Sequence, residues 1–149
     1  MKLSPNATCP CGRGLKYKQC CRPLHRGRTA LTAEVLMRSR YTAYIIGDMN
    51  YIIETTHPNG PLYRSDRVAW LTELRFFCQR TQFVRLDILD VTEEATAEDN
   101  SGQAWVTFRA TLTQQKQDAS FTERSLFKRH HNMWKYFSGE HLEDGVPEP

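Results

Sequence analysis

The first 33 residues contain no aspartate and no glutamate. A segment without acidic side chains cannot neutralise its own cations, and this one carries seven: Lys2, Arg13, Lys16, Lys18, Arg22, Arg26 and Arg28. The other 13 of the 20 basic residues share the rest of the chain with all 17 acidic ones, so a head of +7 sits on a body of −4 and the total is +3. That asymmetry suits a head that meets something anionic. Other absences narrow the class. No apolar run approaches the roughly 20 residues of a membrane-spanning helix. The start, MKLSPNATCPCG, has no apolar stretch of signal-peptide length. The reading is therefore a cytoplasmic protein, in a compartment where thiols stay reduced. Internal repeats and low-complexity segments are missing. No nucleophile, base and orienting group can be read as a set, and no interleaving of aromatic and basic residues supports base stacking. With 40% hydrophobic and 25% charged residues, the composition is that of an ordinary globular domain.

Cysteine is scarce except in one place. CPCGRGLKYKQCC, residues 9–21, holds four of the five, and the fifth, Cys78, reads as an ordinary buried thiol at a helix end. A reducing compartment argues against a disulfide framework, and adjacent cysteines such as Cys20-Cys21 rarely bridge without strain. A redox dithiol has the spacing C-x-x-C, whereas here it is C-x-C. A structural zinc site fits: four thiolates saturate a tetrahedral ion, and eight residues between the pairs can return the chain to it. Gly12 and Gly14 permit a tight turn after Cys11, and N–H groups freed in such turns can donate to the sulfurs. Zinc with four thiolates carries −2, which Arg13, Lys16 and Lys18 are placed to offset. The expectation is one Zn2+ per chain on Cys9, Cys11, Cys20 and Cys21.

The pattern C-P-C-G-x-G-x-x-x-K-x-C-C resembles the SEC-C motif, a zinc module found in bacterial proteins. The matching residues are Cys9, Pro10, Cys11, Gly12, Gly14, Lys18, Cys20 and Cys21.

Downstream the periodicity becomes helical. In residues 33–46, Val35, Leu36, Ser39, Ala43, Tyr44 and Ile46 form one stripe at 100° per residue. Arg40 falls inside it, and Arg38 and Thr42 fall opposite. Asp48 can cap a short helix ending near Thr56, before His57-Pro58. Asn59-Gly60-Pro61 is a turn. Ser65 or Asp66 can cap a third helix through residues 68–78. From residue 83 the period is two, predicting strands over 83–92, 103–113, 120–129 and 133–138. A polar loop is expected over 95–102 and a hairpin turn at His130-His131-Asn132. The expected fold is α+β: a small zinc motif over 1–30, three helices on a curved, mostly antiparallel four-stranded sheet over 31–140, and an acidic tail over 141–149.

The whole chain resembles the YchJ-like family. The resemblance rests on the zinc motif, Leu36-Met37-Arg38-Ser39-Arg40-Tyr41, Thr56-His57-Pro58, Glu123-Arg124-Ser125 and the pair Trp134 and Tyr136. It implies a SEC-C motif joined to a cone-shaped domain like that of nuclear transport factor two. Ser138-Gly139 stands where that family often carries aspartate before the glycine.

Glu123 and Ser125 share a strand face with Phe121 and Phe127, so Glu123 is expected to point inward and meet Arg40, which suits it bidentately. Arg40, Tyr44, His57, Glu123 and Ser125 are the candidate pocket residues. Two function classes follow. In the first, the zinc head docks to an acidic partner (a protein surface, ribosomal RNA or anionic lipid) while the cone binds a partner, a second copy of the chain or a small polar ligand. In the second, the protein is an isomerase, hydratase or hydrolase using His57 as base beside Arg40 and Glu123.

Overall fold

The computed structural model describes residues 2–94 and 102–142. An antiparallel bridge, Thr8 to Lys16, closes the head loop, followed by a 3-10 turn at Tyr17–Gln19 and a short helix α1, Cys21–His25. Helix α2, Ala33–Ile46, starts where the Thr32 hydroxyl accepts from the Val35 N–H. It stops at Gly47, whose φ of 81° is left-handed and whose N–H returns to the Ala43 carbonyl. Asp48 caps α3, Met49–Glu54, and Asp66 caps α4, Arg67–Gln79, each by accepting from an N–H three residues on.

Five strands follow: β1 Thr81–Glu94, β2 Gln103–Gln114, β3 Gln117–Asp118, β4 Phe121–His130 and β5 Met133–Leu142. The sheet order is β1-β2-β4-β5, all antiparallel, with β3 a short flap on β2. Register shifts at Phe83/Arg85 and Ile88/Asp90 in β1, and at Leu126/Phe127 in β4, mark the irregularities that curve a sheet. On β2, Ala104, Val106, Phe108, Ala110 and Leu112 are buried and alternate with half-buried residues, as the period of two predicts. They form the core with Leu36, Met37 and Tyr41 of α2.

The α+β class and the order of the three cone helices and four long strands agree with the sequence reading; α1 and the two-residue β3 are additional to it, and the boundaries differ. β1 is longer at both ends, and β5 runs to Leu142, so Ser138-Gly139 lies inside a strand with Gly139 opposite Ser125. The β4–β5 turn is the pair His131-Asn132, both at positive φ (52° and 65°), the mirror-image turn that matches strand twist. The same turn at Gln115-Lys116 (51° and 66°) carries no glycine or asparagine, so its sequence signal is absent. The expected 95–102 loop, apart from Gly102, and residues 143–149 of the acidic tail lie outside the described residues.

Helix α2 departs from a one-sided stripe. Val35 and Ile46 are only half-buried, while Met37, Tyr41 and Thr42 are buried. The helix is covered on both sides, by the sheet on one and the cysteine head on the other. Beyond α3, the segment Thr55–Gly60 hooks onto the edge of β5. His57 N–H donates to the Tyr136 carbonyl and Tyr136 N–H to the Thr55 carbonyl, both at 2.8 Å. Gly60 is required there because a Cβ would lie 2.5 Å from the Phe137 carbonyl oxygen. No described helix is long and apolar enough to cross a membrane.

Candidate functional site

The head gathers four sulfurs. The Cys11 and Cys20 Sγ atoms are 3.4 Å apart, those of Cys20 and Cys21 4.0 Å, and all four lie within 4.8 Å of one another. Thiolates about 2.3 Å from a central ion in a tetrahedron would sit about 3.8 Å apart, so the set fits a four-coordinate metal. None is in a disulfide and all are buried. The turn that brings them together uses Gly12 and Gly14 at φ of +91° and +86°, with Cys9 N–H donating to the Leu15 carbonyl at 2.8 Å. Hydrogen bonds from Cys11 and Cys21 hold the Cys9 thiol far below its ordinary value, and the same network with burial pushes Cys21 upward. A cation at the centre would relieve that competition by favouring all four thiolates.

The head is clamped to the outer face of α2. The Arg38 Nη1 donates to the Cys11 carbonyl at 2.5 Å while its Nε meets Glu34 at 3.0 Å. The Thr42 hydroxyl lies 3.6 Å from the Cys9 sulfur. Arg38 and Thr42 are the residues that the periodicity put opposite the core stripe. They face the four-cysteine cluster, and nothing in a helical pattern distinguishes that from facing solvent. A second link runs through His25. Its Nε2 is 2.8 Å from the Ser39 carbonyl, which can only accept, so Nδ1 accepts from the Tyr17 hydroxyl at 2.7 Å. Ser39 in turn donates to the Leu36 carbonyl and accepts from the Tyr51 hydroxyl at 2.7 Å.

Burial depresses the His25 pKa below its ordinary 6.5. In the unfolded chain His25 takes up a proton as pH falls below about 6.5, whereas in the folded protein it stays neutral to lower pH. Protons then favour the unfolded state, so stability is full above pH 6.5 and is lost as pH falls toward the folded pKa. Denaturant titrations between pH 8 and pH 5.5 are expected to show this decline, with a shallower slope in His25→Gln. An identical slope in the variant would show that the loss comes from other groups.

The cone encloses a cavity of about 330 Å³ between α2, α4 and the inner face of the sheet. Its walls include Phe77, Phe83, Phe108 and Phe121; Arg40, Tyr44, Glu123 and Tyr136 supply its inner polar groups. Arg64 and Glu73, an ion pair in which the Glu73 side chain is exposed, also line it. Arg40 Nη1 donates to the Ile52 carbonyl (3.1 Å) and to the Thr55 and Thr56 hydroxyl oxygens (2.7 and 3.3 Å), at the carbonyl end of α3. The negative end of a helix attracts a guanidinium there. The Arg40 Cζ lies 4.6 Å above the Tyr136 ring. Glu123 Oε2 accepts from Ser125 Oγ at 2.6 Å and from the Tyr136 hydroxyl at 2.8 Å, and Oε1 is 3.4 Å from His141 Nε2. Burial, then the Glu123 charge, pushes the Tyr136 phenol up, so it remains a donor. Burial likewise raises Tyr44.

The expected Arg40–Glu123 ion pair does not form. Both residues line the cavity, but α3 draws the guanidinium to its own carbonyls and Tyr136 stands between the charges. Gly139 leaves room for this arrangement, since a Cβ would fall 2.1 Å from Glu123 Oε2. Ser125 is fully buried beside Glu123 and outside the cavity lining. His57 also lies outside it. Its Nδ1 accepts from the Asn59 N–H at 3.1 Å, and its ring packs 5.2 Å from Phe137 and 5.0 Å from His130. Burial, then the His130 charge, lowers its pKa. Hooking Thr55–Gly60 onto β5 carries His57 away from Arg40 and Glu123, so the expected set of His57, Arg40 and Glu123 is not assembled. Tyr136, which joins the two charges, is not among the sequence candidates; the β4–β5 register sets it opposite Phe127 on the inner face, and its hydroxyl reaches Glu123 over Gly139.

Residues 32–139 match the family described as YchJ, middle NTF2-like domain, and residues 6–23 match the SEC-C motif. A UPF0225 protein of Pectobacterium carotovorum is 38% identical over 146 residues, covering 95% of this chain and 88% of the relative. One from Streptomyces coelicolor is 38% identical over 140 residues, covering 93% and 99%. The solution structure of a SEC-C motif containing protein from Rhodopseudomonas palustris superposes with a TM-score of 0.74 at 33% identity, covering 92% of this chain and 100% of that one. A crystal structure of a SEC-C motif containing protein from Psychrobacter arcticus, 23% identical with a TM-score of 0.66, covers 97% and 85% and shares the fold.

Proposed function

We propose a function from one premise: this chain belongs to the bacterial UPF0225 family, in which a SEC-C motif precedes a YchJ-type NTF2-like domain. It is a zinc-dependent binding protein of the cytoplasm whose cone cavity holds a small polar ligand. The observation that carries this is the cavity itself: Arg40 and Glu123, both more than nine-tenths buried, face one space without pairing with each other. Fixed ion pairs that only hold a fold together are normally in contact, whereas charged groups that line one cavity without pairing with each other are available to a ligand. Zinc is the metal that a closed, buried four-thiolate set selects. Without His57 in the cavity, no general base stands beside Arg40 and Glu123, which favours binding over catalysis. A thermal-shift screen of small carboxylates, amines and alcohols tests the reading. Hits should disappear in Ala110→Phe, which fills the cavity; hits that survive it would move binding elsewhere.

The head adds a docking surface. Lys2, Arg13, Lys16, Lys18, Arg26 and Arg28 are exposed, Arg22 is half-exposed, and none pairs with a carboxylate among the described residues. Seven cations exceed the −2 of a zinc–thiolate centre, so the head stays positive and suits an acidic protein surface. Charge reversal at Arg22, Arg26 and Arg28 in the full chain is expected to abolish capture of that partner while zinc stays bound. Capture by the wild type should weaken steeply with salt, since exposed charges are screened within about 8–10 Å at 0.1–0.15 M. Ribosomal RNA and anionic vesicles form the competing arms; retention of either in place of protein would redirect the assignment.

A further inference from the structure

We infer that the cavity selects an amphipathic monocarboxylate bearing a hydrogen-bond donor near the carboxylate, such as a 2-hydroxy acid with an apolar body. The inference rests on the cavity being a ligand site and names the ligand's chemical class.

Arg40 carries the argument. It is 5% exposed, and its three hydrogen bonds to protein all leave from Nη1. Nε and Nη2 meet no protein acceptor among the described residues, although the guanidinium lines the cavity. The Nε–Nη2 edge, free of protein acceptors, is the fork that a carboxylate fills with two parallel bonds. Glu123 cannot fill it, because its Oε2 is held by Ser125 and Tyr136. Its Oε1 has only the long 3.4 Å approach of His141, an exposed side chain, and so remains an acceptor for a ligand hydroxyl or ammonium.

The same pair of charges excludes other classes. A phosphate monoester carries close to two negative charges near neutral pH. Arg40 alone does not balance it, Arg64 being already paired with Glu73, and Glu123 in the same cavity repels it. A simple amine satisfies Glu123 but meets Arg40. A ligand with one negative group at Arg40 and a neutral or positive donor at Glu123 satisfies both. The remaining lining is largely apolar, with Phe77, Phe83, Phe108 and Phe121 prominent, and calls for an apolar body. At about 330 Å³ the cavity is at the lower end of the range for ligand pockets, which suits one ring or a short chain rather than a nucleotide.

The test uses full-length, metal-loaded, 15N-labelled protein and four probes that share a phenyl body: 3-phenyllactate, 3-phenylpropanoate, 3-phenylpropan-1-ol and phenyl phosphate. Kd values come from amide shift titrations read at cavity residues. The propanoate should bind about tenfold tighter than the alcohol, as a charge-assisted pair requires, and phenyllactate several-fold tighter again. Phenyl phosphate should be the weakest anion. Arg40→Gln should erase the carboxylate advantage, and Glu123→Gln should erase only the hydroxyl advantage. Because Arg40 also caps α3, the Glu123→Gln arm and the wild-type ranking decide the matter even where Arg40→Gln does not fold. Alcohol binding as tight as carboxylate, or phenyl phosphate binding tightest, would overturn the inference while leaving the cavity a ligand site. Failure of every probe while amines or neutral compounds from the screen bind would do the same. If no compound of any class shifts the cavity residues, the parent reading falls and takes this one with it.

Discussion

Cys20→Ser is expected to lose its metal, unfold residues 2–28 and leave the sheet folded but less stable. Elemental analysis of the wild type should find one zinc per chain; the variant should hold well under that. The head has little core of its own beyond the four cysteines and Tyr17, with Leu3 and Ile46 packed against them. Structural zinc contributes roughly 10–16 kcal/mol of apparent folding free energy in modules of this size, so a head that loses it has nothing comparable to hold it. The damage does not stop at the head, because α2 is shared. Losing the head breaks the Arg38–Cys11 and His25–Ser39 hydrogen bonds and uncovers Thr42. At about 1 kcal/mol per hydrogen bond plus lost packing, the cone should lose roughly 2–4 kcal/mol, or about 5–15 °C in Tm for a domain of this length. Hydrogen exchange should show the amides of 2–28 unprotected and those of β2 and β4 still slow. Unchanged protection of the head in a metal-free variant would refute the metal's structural role.

Arg40→Ala is expected to cost about 2–4 kcal/mol in chemical denaturation, since it removes a buried guanidinium and leaves the buried Glu123 carboxylate in a cavity whose other cation, Arg64, is paired with Glu73. A direct, fully buried ion pair would cost more when broken, about 3–5 kcal/mol. The lower figure follows from the geometry, in which Arg40 binds the end of α3 and reaches Glu123 only through Tyr136. A double-mutant cycle with Glu123→Gln separates the cases. Coupling of about 0.5–1 kcal/mol fits the separated charges, whereas about 2 kcal/mol or more would require contact. Arg40→Lys should fall between wild type and Arg40→Ala, keeping the charge but losing the planar fork.

The four-cysteine cluster is the most legible part of the chain because its information is local. Cys9, Cys11, Gly12, Gly14, Cys20 and Cys21 lie within thirteen residues, and spacing plus two positive-φ glycines is enough to bring four sulfurs together. The helices and strands were legible for a similar reason: Thr32, Asp48 and Asp66 cap by bonding residues three positions away, and the alternation along β2 repeats every second residue. The short hairpin at Gln115-Lys116 escaped because strand pairing imposed its backbone against residue preference.

What sequence alone determined is thus the α+β order of elements, the four-cysteine cluster and the inward facing of Arg40 and Glu123. Tertiary structure decided what those residues touch. Periodicity places Arg38 and Thr42 on the far side of α2, but only the packing of the head turns that side into the bed of the cysteine cluster. It places Arg40 and Glu123 in one interior, but the hook of Thr55–Gly60 onto β5 removes His57 and sets the end of α3 beside Arg40. The β4–β5 register sets Tyr136 on the same inner face, and the space at Gly139 lets its hydroxyl reach Glu123, so that it stands between the charges. Local pattern reports which face a side chain takes; its partners come from segments tens of residues away, and their choice depends on the competing hydrogen bonds available only in the assembled fold.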